Sequence, residues 1–266
     1  MASFSQPSAR ADSSAIPQPL RDLCFRAVVG GTRGIMLYGS RARGDFHSKS
    51  DIDVLQLAHR RSAPYQRLGV SISAYTGSQL RRLAATGSLF ILHLREEGII
   101  LSDPDGVLHR VLSGFIPPSP AQIEANIRVA SSLLDINPSV FANNPEGFCR
   151  VAVYLLRTLA YARCLREGRA VFSLDRVTAL LRDTRVEQIL QTRNTEGASL
   201  EYFVRVRDLL AEYLGVRLWN PYVTVEALAV NTAQNCPFAS GLAISLAEPG
   251  HALDYAGLVD AWTGND

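Results

Sequence analysis

Leu37-Tyr-Gly-Ser-Arg-Ala-Arg-Gly-Asp-Phe-His-Ser-Lys-Ser-Asp-Ile-Asp-Val-Leu55 decides the reading of this chain. It opens on the end of an apolar run, breaks at Gly39-Ser40, crosses a ten-residue basic turn at 41–50, and resumes as Asp51-Ile-Asp-Val-Leu55. Gly39 allows a sharp turn and a close backbone approach to a ligand. Ser40 offers a hydroxyl and an N–H to a phosphate, and a short helix starting there would add its N-terminal dipole. Arg41, Arg43 and Lys49 supply cations for the rest of a triphosphate charge. Side chains on a strand repeat every second residue, so Asp51 and Asp53 share one face. Their hard oxygens suit Mg²⁺ or Mn²⁺. A two-metal site, with ions ~3.5–4 Å apart, would clamp the attacking and leaving oxygens of an in-line displacement.

Outward from this stretch the patterning predicts a small sheet with helices. Leu20 to Val29 reads as a short amphipathic helix closed by Gly30-Gly31. Strands are expected at Gly34–Tyr38, Asp51–Leu57 and Leu68–Tyr75, with Val70, Ile72 and Ala74 on one face of the last and Ser71, Ser73 and Tyr75 on the other. Helices are expected at Ser78–Ala85 and Ser88–Glu97, then a short strand at Ile99–Leu101. Phe115-Ile-Pro-Pro-Ser-Pro120 is the clearest boundary, because its prolines cannot continue a helix or a central strand. Beyond it the pattern is helical: 121–136, 145–167, 173–183, 186–193, 199–214 and 222–234. The expected class is α+β: a flexible leader at 1–18, a small mixed-sheet domain at 19–116, an all-helical domain at 121–235 and a tail at 236–266.

Composition excludes more than it identifies. The 266 residues hold 47% hydrophobic and 20% charged side chains, ordinary for a globular protein with a real core. A net charge of +2 does not demand a nucleic-acid partner and argues against a long duplex substrate. Lys49 is the only lysine, which a codon bias explains as well as phosphate binding does. Cys24, Cys149, Cys164 and Cys236 form no C-x-x-C pair, so reduced buried thiols in a cytoplasmic protein are expected rather than a structural zinc. No apolar run reaches the ~20 residues of a membrane span. The first residues lack the apolar core of a signal peptide.

The order strand, GS, ten residues, DxD, strand resembles the nucleotidyltransferase superfamily that contains DNA polymerase β. It is most similar to bacterial minimal and aminoglycoside-type enzymes with a helical C-terminal domain. The resemblance covers about residues 20–115 well and the helices in outline. It implies that Gly39 and Ser40 bind the triphosphate and that Asp51 and Asp53 bind metal and carry catalysis. The segment from Gly87-Ser-Leu-Phe90 to Glu97-Gly98 also resembles a family of nucleotidyltransferase-domain proteins, which bears on the fold and not on substrate.

Such families often place a third carboxylate on the strand after DxD, where it joins the metal and serves as base. Here Ser71 or Ser73 stands there, and serine is no base near neutral pH. Either a metal alone acidifies the acceptor hydroxyl, or Glu96, Glu97 or Asp103 reaches in, or the site binds nucleotide without turning it over. His93 falls on an apolar helix face, where a packing role is expected ahead of a catalytic one. Arg150, Tyr154, Arg157 and Tyr161 form a stripe suited to phosphates and bases if it faces a cleft, and otherwise the solvated edge of a helix. The helical part to residue 235 has no histidine, which argues against the R-x4–6-H ribonuclease toxins that accompany some of these enzymes. Tyr255 is a candidate acceptor hydroxyl near the C-terminus, although a packing role is the plainer one.

The expected activity is metal-dependent transfer of a nucleoside monophosphate from an NTP or dNTP to a hydroxyl. A protein side chain or a growing oligonucleotide is the expected acceptor, in a toxin–antitoxin or antiviral setting. A catalytically degenerate nucleotide-binding regulatory module is the alternative. A homo-oligomer is compatible with the sequence.

Overall fold

The computed structural model describes residues 16–48, 50–192 and 197–247. Lys49, Tyr255 and almost all of the expected leader therefore lie outside the described residues. The chain divides into two compact units, Met1–Pro117 and Pro118–Asp266, and the cut falls inside the proline-rich stretch.

The first unit contains, in order, α1 (Gln18–Ala27), β1 (Thr32–Tyr38), α2 (Ser40–Arg43), β2 (Ile52–Ala58), β3 (Tyr65–Arg67), β4 (Val70–Thr76), α3 (Gly77–Ala85), α4 (Leu89–Glu97), β5 (Ile99–Ser102) and α5 (Val107–Ser113). The strands form one mixed sheet in the order β3-β4-β2-β1-β5. β1 runs antiparallel to β2 and β5, whereas β2 and β4 are parallel. One face buries Ile35, Leu37, Val54, Val70 and Ile72 with Cys24 and Ala27 of α1. Side chains alternate along a strand, so Tyr38, Asp53, Ser71 and Ser73 belong to the opposite face. There Phe90 of α4 packs on Tyr38 at 5.7 Å and on Tyr75 at 5.5 Å between ring centroids.

Two elements of this unit were not legible beforehand. The three-residue β3 joins β4 through Leu68 and Gly69, both with positive φ (53° and 75°), as a primed two-residue hairpin turn requires. Leucine at the first turn position carries none of the Asn or Gly signal that marks such turns, and β3 is mostly exposed. α5 is capped by Asp103, whose carboxylate accepts from the N–H groups of Leu108 (3.2 Å) and His109 (2.9 Å).

The second unit is helical: α6 (Pro120–Ala130), a 3₁₀ turn (Ser131–Leu134), α7 (Pro138–Asn143), α8 (Pro145–Arg166), α9 (Leu174–Leu181), α10 (Thr184–Thr192), α11 (Leu200–Leu214), α12 (Val225–Thr232) and α13 (Pro237–Ala247). α8 is the central helix, with fourteen buried residues along its 22. α13 lies in the segment expected to be a tail. Ala239, Leu242, Ala243 and Leu246 are buried there, and Ser240 Oγ donates to Ala229 O of α12 at 2.8 Å. Alternating small residues hide its helical period. The four cysteines are free and buried, and burial pushes the thiols of Cys24 and Cys149 up to about 11. Among the described residues no helix is long and apolar enough to cross a membrane.

One turn of the second unit is strained. Val223 is 85% exposed with φ at 69°, and Thr224 N donates to Tyr222 O at 2.8 Å. That is a γ-turn in its positive-φ form, a rare conformation and a true outlier for a β-branched residue. Val223→Gly is expected to stabilise the protein by about 1 kcal/mol, the relief of backbone strain exceeding the extra entropy of glycine in the unfolded chain. A thermal melt should show a higher midpoint; an unchanged or lower one would mean that the turn is not strained.

Candidate functional site

β1 ends at Tyr38, and Gly39 turns the chain with φ 75° and ψ −157°. The one-turn α2 follows, and Gly44 closes it in the left-handed conformation. Four residues make too short a helix for the expected macrodipole, which needs several aligned peptides. What α2 provides is a compact reversal that leads back toward β2. The antiparallel register sets Tyr38 opposite Asp53, which brings the aspartate under the turn. A Cβ built on Gly39 would sit 2.6 Å from Asp53 Oδ2. Only glycine lets the backbone lie this close to the carboxylate.

Asp51 is exposed just before β2, and Asp53 is half-buried within it. Burial raises the Asp53 carboxyl above its ordinary value, and the charge of Asp51 adds to this. His93 and Arg43 act against both effects, so both side chains lie near Asp53.

The basic residues of the turn divide. Arg41 stacks over Phe46, with its guanidinium carbon 4.0 Å from the ring centroid, and donates from Nη2 to Ser50 O at 3.3 Å. Arg43 donates from Nε to Asp45 at 2.9 Å and from Nη1 to Glu97 Oε2 at 2.6 Å. Its charge is already shared between two carboxylates.

Ser71 of β4 lies in parallel register with Asp53, and its Oγ is 3.4 Å from Gln66 Nε2. Ser73 Oγ lies 3.1 Å from Tyr38 Oη. Of the three carboxylates expected to reach in, Glu96 pairs with Arg95 at 2.9 Å and Asp103 caps α5. Glu97 remains. Its Oε2 lies 2.9 Å from His93 Nε2 as well as 2.6 Å from Arg43 Nη1. Burial works to raise the Glu97 carboxyl, but contact with His93 and Arg43 outweighs it and holds the group below its usual range. His93 sits edge-on to Tyr38 at 5.8 Å between centroids, so it packs as expected and also joins a charged network beside Asp53. The spacing of four between His93 and Glu97 was readable on a helix. The partnership of Arg43 with Glu97, 54 residues apart, was not.

Asp51 and Asp53 suit a divalent metal. Among the described residues no group of three His, Cys, Asp or Glu could hold an ion, so the protein would offer two carboxylates. Mg²⁺ is commonly held in this way, by one or two carboxylates with water and substrate phosphate oxygens completing its shell. Mutual repulsion between the aspartates, with Asp53 pressed against the Gly39 backbone, gives a cation a ready place.

Arg150 and Arg157 belong to α8 in the helical unit. Arg150 is exposed, and Arg157 lies 5.8 Å from the Tyr154 ring. Tyr154 packs on Phe238 at 6.0 Å and Tyr161 on Phe172 at 5.1 Å, so both tyrosines of the stripe contact rings of their own unit.

The fold and the turn together define a class. Residues 20–87 match the nucleotidyltransferase domain family, so the sheet unit carries a nucleotidyltransferase domain. The match spans α1 to α3 and contains both the Gly39-Ser40 turn and the two aspartates. One solved structure similar to this chain is a nucleotidyltransferase-like protein from Exiguobacterium sibiricum 255-15, with 13% identity over 85% of this chain and 78% of that one, at a TM-score of 0.28. Among curated proteins no relative matches the sequence.

Proposed function

We propose that this protein transfers a nucleoside monophosphate from a nucleoside triphosphate to a hydroxyl, with a divalent metal held by Asp51 and Asp53. The observation that carries this reading is the seat of Asp53 against the Gly39 backbone, inside the matched domain. Gly39, Ser40 and Arg41 would receive the triphosphate. Mg²⁺ or Mn²⁺, when bound, would neutralise charge on the phosphates and the attacking oxygen. The hydroxyl oxygen forms a bond to the α-phosphorus as the bond to the β-phosphate oxygen breaks. Pyrophosphate leaves, and the hydroxyl proton passes to solvent. The chain's own contribution is orientation and charge placement, which dominate such transfers.

The acceptor is a protein side chain or a growing oligonucleotide, with Tyr255 as one candidate, and a toxin–antitoxin or antiviral role follows from those acceptors. Four buried free thiols fit a reducing compartment, and we place the reaction in the cytoplasm. A second reading has one observation in its favour. Ser71 stands opposite Asp53 where an acid would complete the site, as in a module that binds nucleotide without turnover.

The test is incubation with each α-labelled NTP and dNTP and Mg²⁺ or Mn²⁺, resolved on a denaturing gel beside Asp51→Ala/Asp53→Ala. Label is expected in the wild type alone. One addition to a protein marks a protein acceptor and a ladder marks an oligonucleotide. Nucleotide binding without pyrophosphate release, even with cell lysate as an acceptor source, would move the assignment to the regulatory module. Label retained by the double variant would remove the aspartates from the chemistry.

A further inference from the structure

By sequence alone Arg43 is expected to face phosphates and Glu97 to face metal or acceptor. In the structure they face each other. Arg43 Nη1 lies 2.6 Å from Glu97 Oε2, and the two side chains are only 15% and 7% exposed. The same oxygen lies 2.9 Å from His93 Nε2. A pair this shielded from water is costly to split, because removing one partner strands the charge of the other.

The positions of the two residues give the pair its consequence. Arg43 is the last residue of α2 and Glu97 the last of α4. The bonds from Arg41 to Ser50 O and from His47 N to Ser50 Oγ run within the turn that follows Gly39. The Arg43–Glu97 pair instead ties that turn to the helix covering the sheet, beside Asp53. We infer that Glu97 is a positioning residue for the nucleotide. Through Arg43 it holds the Ser40–Arg43 turn in the conformation that receives the triphosphate, and Arg43 is the tie rather than a phosphate ligand. The inference rests on the nucleotidyl-transfer reading above.

The two roles for Arg43 predict opposite signs. If Arg43 bound phosphate directly, Glu97→Gln would free its charge and tighten nucleotide binding. If Arg43 is a tie, Glu97→Gln loosens the turn and weakens binding. Nucleotide affinity with Mn²⁺ and steady-state pyrophosphate release should be measured for the wild type, Glu97→Gln, Arg43→Gln and the double variant. Affinity and KM are expected to worsen about tenfold in Glu97→Gln, as on losing an outer-shell partner, with kcat changed far less. The double variant should be no worse than Glu97→Gln, since residues acting through one contact are not additive. Unchanged or tighter binding in Glu97→Gln, or additive losses in the double variant, would overturn the inference.

Should Glu97→Gln fail to fold, the charge exchange Arg43→Glu/Glu97→Arg supplies the test. It should restore binding relative to Arg43→Glu, and no restoration would count against the tie. If the wild type itself binds no nucleotide, the proposed function fails and not the tie. Amide exchange across residues 40–50 then decides the latter: faster exchange in Glu97→Gln, or in Arg43→Gln, supports it, and unchanged exchange refutes it.

Discussion

Asp53→Asn is expected to abolish nucleotidyl transfer while raising the melting temperature at neutral pH. Asparagine keeps the shape of the side chain but cannot present a charged oxygen to a metal. The stability gain follows from the sign of the shift. Burial and the Asp51 charge raise the Asp53 carboxyl above its ordinary 3.8 in the folded state. Between those two values the folded state binds more protons than the unfolded one, so stability falls as pH rises across that window. Above it the penalty of holding a buried charge beside another carboxylate is fully present. Asparagine removes it, for a gain of about 0.5–2 kcal/mol, the usual size of a single stabilising substitution. The advantage of the variant should shrink as pH falls through that window. Added Mn²⁺ should raise the midpoint of the wild type and leave that of Asp53→Asn unmoved. Thermal melts at several pH values, with and without metal, read all of this. A variant less stable than wild type at neutral pH would mean that Asp53 contributes stabilising contacts and is not held at a cost for chemistry.

Gly39→Ala should damage fold and function together. The new Cβ would stand 2.6 Å from Asp53 Oδ2, closer than real contacts come. The backbone there, φ 75° and ψ −157°, is essentially confined to glycine. Strain alone costs about 1–3 kcal/mol. Displacing Asp53 or the turn by about 1 Å should lower transfer at least ~100-fold. The double variant Gly39→Ala/Asp53→Ala separates the causes. Removing the carboxylate relieves the collision, so part of the lost stability should return while activity does not. A Gly39→Ala protein with wild-type melting and turnover would show that the turn does not sit on Asp53.

The elements that carry the site were legible because their signals are local. A strand ends where glycine allows a reversal, and aspartates two apart share a face by the geometry of any strand. β1, β2, β4, α3 and α4 lie where period and punctuation put them. β3 was missed because its turn has leucine where the sequence signal would be asparagine or glycine. α13 gave only a weak helical signal, because small residues blur the difference between its faces.

The sequence by itself determined the class of the chain: an α+β protein whose Gly39-Ser40 turn follows one strand and whose Asp51/Asp53 pair opens the next. These features depend on spacing within about fifteen residues, which backbone geometry converts directly into shared faces and turns. Only the tertiary structure decided what the other charges do. It set Asp53 beneath the Gly39 backbone through the register of β1 and β2. It also assigned Glu96 to Arg95, Asp103 to a helix end and Glu97 to Arg43 and His93. A carboxylate reads the same in sequence whether it caps, pairs or catalyses. Its role depends on which distant group shares its low-dielectric surroundings, and strand register and helix packing bring that group there.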